Sequence, residues 1–159
     1  LDQAFRSVSI VRDLELPIKI EDEKSVLIAA PYRTFLSEGN KYLSNASNYY
    51  FPYSANSETR KKFLVDFKSE ALKFDRVIFC LANRFSLEML QVLKDIDVKV
   101  TVISTLTPVY LQEALWVNSA VAVYGTGYES FMAGFQAILG IYTPTGTVPL
   151  ESLKIQSSN

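Results

Sequence analysis

Residues 98–149 read VKVTVISTLTPVYLQEALWVNSAVAVYGTGYESFMAGFQAILGIYTPTGTVP. Two runs within this stretch, 98–104 and 120–124, are short, apolar and rich in β-branched side chains, and turn residues bound both. Each precedes a segment whose apolar residues recur at helical spacing. Strand, helix, strand, helix is the pattern of a parallel sheet covered by helices.

Outward from there, the rest of the chain extends the same sheet. Continuous apolar runs at 25–30 (SVLIAA) and 76–81 (RVIFCL) predict strands covered on both faces, since a half-exposed strand would alternate. Residues 5–12, FRSVSIVR, do alternate, and predict a half-buried strand at a sheet edge. The run YYFPY at 49–53 carries Pro52 and is suited to a short edge strand or a loop. Helices are predicted over 35–43, weakened by Gly39, and over 58–73, capped by Ser57 and carrying Phe63, Leu64, Phe67, Ala71 and Leu72 on one face. Further helices are predicted over 87–96, capped by Ser86, and over 109–116, started at Pro108. A last helix over 128–139 aligns Tyr128, Phe131, Phe135, Ile138 and Leu139 and is stopped by Gly140. Pro144, Gly146 and Pro149 force an extended tail. The reading is one α/β domain over residues 1–159, a three-layer α/β/α sandwich with a mostly parallel, flavodoxin-like sheet of five or six strands.

A chain of 159 residues buries about 70% of the surface its unfolded form exposes, enough to need no metal or disulfide support. Net charge is −1 with both signs interspersed, so electrostatics give no case for nucleic acid or an anionic membrane. No apolar run approaches the ~18 residues that would insert across a bilayer. Cys80 is the only cysteine and lies inside a predicted buried strand, which makes it a structural thiol and leaves the compartment open. The abundant Phe and Tyr residues fill a core, with a few left to line a sugar-stacking or docking surface. The first residue is Leu1 rather than Met, and the sequence is read as part of a longer polypeptide.

The chain contains no histidine, which removes Ser-His-Asp and Cys-His catalysis and most transition-metal sites. It has neither a phosphate loop nor a Gly-x-Ser-x-Gly elbow. The segment Gly125-Thr126-Gly127-Tyr128-Glu129-Ser130 follows a strand and opens a helix, as a dinucleotide fingerprint does. However, Ser130 replaces the third glycine and the unit ends the sheet instead of beginning it, so a tight turn explains it better. Glu88, Glu113 and Glu129 sit at the starts or middles of predicted helices; nothing in the sequence pairs two of them across a cleft, and capping or surface roles account for them. Ligands in open α/β sheets gather at the carboxyl ends of the strands. The loops there hold Tyr32 and Arg33; Asn83, Arg84 and Phe85; Thr105, Thr107 and Tyr110; and Gly125, Gly127 and Tyr128. Of these, Asn83, Arg84, Phe85, Thr107, Tyr110, Gly127 and Tyr128 are candidate substrate- or domain-contact residues.

Four segments resemble the carboxyl-terminal α/β domain of family 3 glycoside hydrolases, especially the β-N-acetylglucosaminidase branch. AFRSVSIVRDLELPI at 4–18 is similar to the family's opening strand and its Leu-Pro turn. ANRFSLEMLQVL at 82–93 resembles its Ala-Arg/Asn…Ser…Gln segment, and STLTPVYL at 104–111 its Pro-Tyr turn, with Val109 inserted before Tyr110. AVAVYGTGYESFMAGFQAILGIYTPTGTVP at 120–149 resembles its Leu-x-Gly…Pro-x-Gly-x-Leu-Pro ending. The resemblance implies a two-domain parent whose amino-terminal TIM-like barrel carries the nucleophilic aspartate. In this branch a His-Asp pair on the barrel serves as general acid/base. The implied reaction is retaining hydrolysis of β-linked sugars, plausibly N-acetylglucosaminides, without a cofactor. In the β-glucosidase branch the acid glutamate comes from the second domain, but no segment here matches that region and no such role falls to Glu88, Glu113 or Glu129. The implied partners are the barrel domain and, through the parent, carbohydrate; this domain alone is expected to be inactive. Two alternatives stay open: a stand-alone flavodoxin-like ligand-binding module, and a small nucleotide-dependent enzyme using residues 125–130.

Overall fold

The computed structural model describes residues 8–19, 25–141 and 146–147. The elements run β1 (Ser9–Asp13), β2 (Val26–Ala30), α1 (Arg33–Tyr42), β3 (Ser47–Tyr50), α2 (Ser57–Ala71), β4 (Arg76–Leu81), α3 (Arg84–Gln91), β5 (Lys99–Ser104), a 3-10 turn (Val109–Glu113), β6 (Ser119–Ala122), α4 (Tyr128–Ile138) and β7 (Gly146–Thr147). They form one seven-stranded sheet in the order β3-β2-β4-β5-β6-β1-β7. The five strands from β3 to β6 are mutually parallel, in the flavodoxin-like order, while β1 lies antiparallel to β6 and β7 parallel to β1.

Alternation along the buried strands splits the core in two. Leu27, Ala29, Val77, Phe79, Leu81 and Val102 face α2 and α3, where Phe67, Met89 and Leu90 meet them. Val26, Ile28, Ala30, Ile78, Cys80 and Ile103 face α1 and α4, where Phe35, Phe131 and Phe135 meet them. Successive side chains on a strand point to opposite faces, so a run apolar at every position must be covered twice. The result is the three-layer sandwich expected from the sequence.

Several local expectations change. β1 is not an edge strand: β6 flanks it on one side and the two-residue β7 on the other, and Val8 and Val11 are buried. Phe5 of the expected strand lies outside the described residues. Asn56 rather than Ser57 caps α2, its side-chain oxygen accepting from the Thr59 amide at 2.9 Å. Leu72, expected on the inner face of that helix, is more than half exposed beyond its end. α3 begins at Arg84, and its last turns from Val92 to Ile96 close with tighter three-residue bonds instead of continuing the helix. The run at 49–53 does supply the edge strand β3, but its Phe51 turns fully inward and stacks on Phe79 at 5.5 Å.

Residues 109–117 form tight turns in place of the expected helix, with amide-to-carbonyl bonds from Leu111 to Pro108, Ala114 to Leu111 and Val117 to Ala114. The buried guanidinium of Arg12 stands behind them. Its Nη1 donates to the carbonyls of Ala114 and Val117, the latter at 3.1 Å, and its Nη2 to that of Leu111 at 2.6 Å. Burial pulls the Arg12 pKa below its usual value. A planar fork of donors suits three carbonyls brought round one point. We therefore expect Arg12→Met to cost about 3 kcal/mol, because it removes three buried hydrogen bonds from a charged donor. Arg12→Lys should recover only part of that in urea unfolding, and a fully stable Met variant would show the clamp to be dispensable.

Gly39 sits inside α1 where the helix meets β2 and α4. A Cβ there would lie 2.7 Å from Ile28 Cδ1 and 2.7 Å from Phe135 Cζ. The glycine that weakens the helix by propensity is what lets α1 and α4 approach. Gly39→Ala is expected to lose about 1 kcal/mol or more despite the propensity gain. Combined with Phe135→Leu, which withdraws the ring end, it should cost less than the sum of the two changes in the same unfolding measurement.

Candidate functional site

The carboxyl ends of β3, β2, β4, β5 and β6 form a crest along one end of the sheet. The chain order reverses between β2 and β4, where a flavodoxin-like sheet opens its ligand crevice. Here side chains occupy that position. The Tyr32 ring lies 6.0 Å from Tyr53 and 5.7 Å from Phe131, centroid to centroid. Its hydroxyl is desolvated beside Cys80 and Tyr53, which pushes the pKa up to about 12, against a hydrogen bond with Thr105 that pulls it down. Cys80 is fully buried and its thiol is pushed well up by desolvation, so it stays neutral beneath the crest.

The sequence candidates fall into distinct places along the crest. Asn83 is the cap of α3: its Oδ1 accepts from the Ser86 amide at 2.9 Å, and Ser86 Oγ accepts from the Asn83 amide at 2.8 Å. Ser86 therefore completes a capping box from inside the helix instead of capping it alone. The free end of Asn83 also works, since Nδ2 donates to the Tyr53 carbonyl at 2.7 Å and ties the β3 loop to the β4 loop. Arg84 is exposed and meets Glu113, with Nη1 at 2.9 Å from both carboxylate oxygens, while its guanidinium carbon stands 5.5 Å from the Tyr110 ring centroid. Phe85 turns inward against Phe51. Thr107 accepts from the Val109 amide, Gly127 caps α4 with nothing within 4 Å of where a Cβ would sit, and Tyr128 is exposed. The structure thus joins Asn83 to the Tyr32–Tyr53 cluster and Arg84 to Tyr110, and leaves Gly127 and Tyr128 at the β6 end.

Two partners escaped the sequence reading. In the sequence Glu113 reads as an isolated carboxylate; in the structure it answers Arg84. Arg33 lies over the Tyr50 ring at 4.1 Å, a pairing of helix start with strand end that only the β2–β3 register reveals. Gly125 is explained by packing: a Cβ would fall 2.6 Å from Ser130 Oγ.

The loop after β5 has its own geometry. The Thr107 amide donates to the Thr105 carbonyl at 2.7 Å, and Leu106 between them has φ +69°. That is a γ-turn of positive φ, rare for any residue but glycine and costing about 1–3 kcal/mol. Ser104 Oγ donates to the Thr107 carbonyl at 2.9 Å and the Thr105 amide to the Leu81 carbonyl at 2.8 Å, so both sides of the turn are pinned.

Chemically the crest offers rings, guanidinium–carboxylate pairs and loop polar groups with partners. Glu88 stands 3.8 Å from Arg60, Glu113 pairs with Arg84, and Glu129 accepts from the Tyr128 hydroxyl at 3.3 Å. Among the described residues no cluster of three or more His, Cys, Asp and Glu is placed to hold a metal ion, and no helix is long and apolar enough to cross a membrane. Two hollows, of about 240 and 450 Å³, lie at the opposite end of the sheet around Glu15 and Lys99.

No protein-family model matches the sequence, and no curated protein does. Solved structures do. The chain superposes over 92% of its length on a family 3 β-N-acetylglucosaminidase from Paenibacillus sp. str. FPU-7, with a TM-score of 0.75 and 16% identity. It also superposes over 94% on a fungal multi-domain family 3 β-N-acetylglucosaminidase, at 0.73 and 17%, and over 90% on a β-glucosidase from Listeria innocua, at 0.68 and 12%. The fold is that of the carboxyl-terminal α/β domain of family 3 glycoside hydrolases. The chain spans 30%, 19% and 25% of those three proteins, respectively.

The two most protected phenols give a test of the crest's packing. Desolvation raises Tyr49 too, and its hydroxyl donates to Asp66 at 2.7 Å. An unfolded tyrosine ionises near pH 10, whereas folded Tyr32 holds its proton to about 12. Between those values the unfolded chain binds fewer protons, so stability falls as pH rises through the window. Tyr32→Phe should flatten that fall and remove one late phenol from the alkaline absorbance titration; loss of a phenol titrating near 10 instead would place Tyr32 in open solvent.

Proposed function

We propose that this chain is the carboxyl-terminal accessory domain of a family 3 glycoside hydrolase whose parent activity is retaining hydrolysis of β-linked N-acetylglucosaminides. The observation that carries the reading is one of proportion. Nearly the whole chain superposes on neighbours of which it spans under a third, and those neighbours are family 3 enzymes. The β-N-acetylglucosaminidases superpose at 0.73 and 0.75, and two forms of the Listeria β-glucosidase at 0.65 and 0.68, which favours the first branch. The four resembling segments point the same way. In this reading the nucleophile and the acid/base belong to an amino-terminal TIM-like barrel, the substrate is carbohydrate bound by the parent, no cofactor takes part, and no residue here is catalytic. Asn83, Arg84, Thr107, Tyr110, Gly127 and Tyr128 are then contact residues toward the barrel or the substrate cleft, and Phe85 supports them from within.

The experiment compares the polypeptide of the natural reading frame with residues 1–159 alone on chromogenic β-N-acetylglucosaminide and β-glucoside substrates. The longer polypeptide should turn over the N-acetylglucosaminide and the shorter piece neither. Turnover by residues 1–159 alone would reject the accessory role, and preference for the glucoside would move the protein to the other branch.

A further inference from the structure

The polar groups at the two ends of the sheet are not equally committed. At the crest they are spent on neighbours: Asn83 bridges two loops and Arg84 meets Glu113. At the other end, where β5 and β6 begin and β1 finishes, lies the smaller hollow, of about 240 Å³. Glu15, Lys94 and Asn118 line it and stand exposed, and no hydrogen bond or ion pair joins their side chains to another described residue. A carboxylate, an ammonium and an amide thus border one small space with their donors and acceptors open.

The rest of the lining is apolar and held in place. Leu93 is buried there, and Val98 and Trp116 are partly so. Trp116 is anchored by its polar edge: Nε1 donates to Gln91 Oε1 at 2.7 Å, and Gln91 Nε2 donates in turn to the Glu113 carbonyl. With its N–H spent, the indole offers the hollow only carbon ring surface. The ring is also fixed in advance, so little side-chain freedom is left to lose on binding.

These walls call for an occupant that is small, apolar on one face and rich in donors and acceptors around its edge. A pyranose with equatorial hydroxyls has that build, since axial C–H groups cover its faces and hydroxyls surround it. A simple anion would leave the indole unused and would meet the Glu15 carboxylate. A hydrocarbon would take water from the three polar groups and give them nothing in return. The volume lies below the roughly 300–1,000 Å³ of pockets that enclose drug-sized ligands, and suits one ring. The larger hollow shares Glu15 and Lys99 with it, which leaves space for a linked ring to continue.

We infer that the hollow lined by Trp116, Glu15, Lys94 and Asn118 is a carbohydrate-binding site that takes one pyranose unit of a neutral β-linked oligosaccharide. It holds the sugar and does not react with it. The six residues of β5 set it about 20 Å from the crest, at about 3.3 Å per residue. A polymer anchored there leaves the crest free. The choice of N-acetylglucosamine as the sugar rests on the reading of the chain as an accessory domain; the site does not.

Trp116 is the only tryptophan of the chain, so its fluorescence reports this hollow directly. The 159-residue chain, whose sheet is covered on both faces within its own length, is titrated with the β-linked trimer of N-acetylglucosamine and with that of glucose. Calorimetry on the same samples gives the affinity independently. The N-acetylglucosamine trimer should produce a saturable change. Glu15→Ala and Asn118→Ala keep the reporter and alter only exposed side chains, and each should weaken binding by roughly fivefold, the loss of one hydrogen bond. Lys68→Ala, exposed on α2, should leave it unchanged. No saturable response to either trimer, or Glu15→Ala and Asn118→Ala curves that overlay the unaltered chain, would overturn the site. Equal binding of the glucose trimer would uphold the site and count against the N-acetylglucosaminidase branch. If the titration holds while the natural polypeptide hydrolyses neither chromogenic substrate, the functional reading falls and the site stands.

Discussion

The guanidinium of Arg12 is the fixed point of this fold. It belongs to β1, near the start of the chain, and its partners lie about a hundred residues later in the connection between β5 and β6. That connection is too tightly wound to be an α-helix: the carbonyls of Leu111 and Ala114 accept the amides of Ala114 and Val117 in three-residue turns, and the Val117 carbonyl follows the last of them. One planar cation answers all three. Burying a charge against neutral acceptors is costly, and three carbonyls converging on the guanidinium offset that cost with charge-assisted hydrogen bonds. With the connection fixed, Gln91 Nε2 reaches the Glu113 carbonyl and Trp116 Nε1 reaches Gln91 Oε1 at 2.7 Å, which ties the connection to α3. Glu113 and Tyr110 then stand where Arg84 meets them. A strand that reads as peripheral therefore sets the geometry of half the crest.

The crest is built from side chains that have already chosen their partners. Asn83 spends its oxygen on the α3 amide and its nitrogen on the β3 loop. Ser104 and Thr107 fix the γ-turn. Catalytic sites keep groups poised and unequal, with shifted proton affinities facing an opening. At the switch point the crevice is filled by Tyr32 and Tyr53, and the shifts there keep a phenol and a thiol neutral. These features suit a rigid surface.

Much of the fold was legible in advance, for a physical reason. The runs at 25–30 and 76–81 are apolar at every position or nearly so, and only strands with two covered faces tolerate that pattern. What could not be read depends on contacts far apart in sequence. Arg12 closes the alternating run FRSVSIVR, where a basic residue reads as a solvated strand end; its burial follows only from the β1–β6 pairing. Phe51 beside Pro52 reads as loop, and its place against Phe79 comes from β3 lying parallel to β2. Gly39 reads as a helix defect until α4 is packed on α1. The caps failed by smaller margins: Asn56 and Asn83 each precede a serine that could have served, and asparagine won because its amide reaches forward three residues while the serine joins the helix. At the crest, topology alone is enough to place the loops at the carboxyl ends of the strands. Their pairings were not found, because Arg84 and Glu113 are joined through a turn whose shape Arg12 dictates.

The strain at Leu106 fits this hierarchy. A γ-turn with a leucine at positive φ would relax if its neighbours allowed it, and they do not. Ser104 is held in β5, Thr105 is buried and bonded to Leu81, and Thr107 is fixed by Ser104 before Pro108 opens the clamped connection. The turn is thus over-determined from both sides, one through the sheet and the other through Arg12. Rigid support on both sides is what lets an exposed apolar side chain keep a single orientation in water, where a flexible loop would fold it back onto the nearest ring.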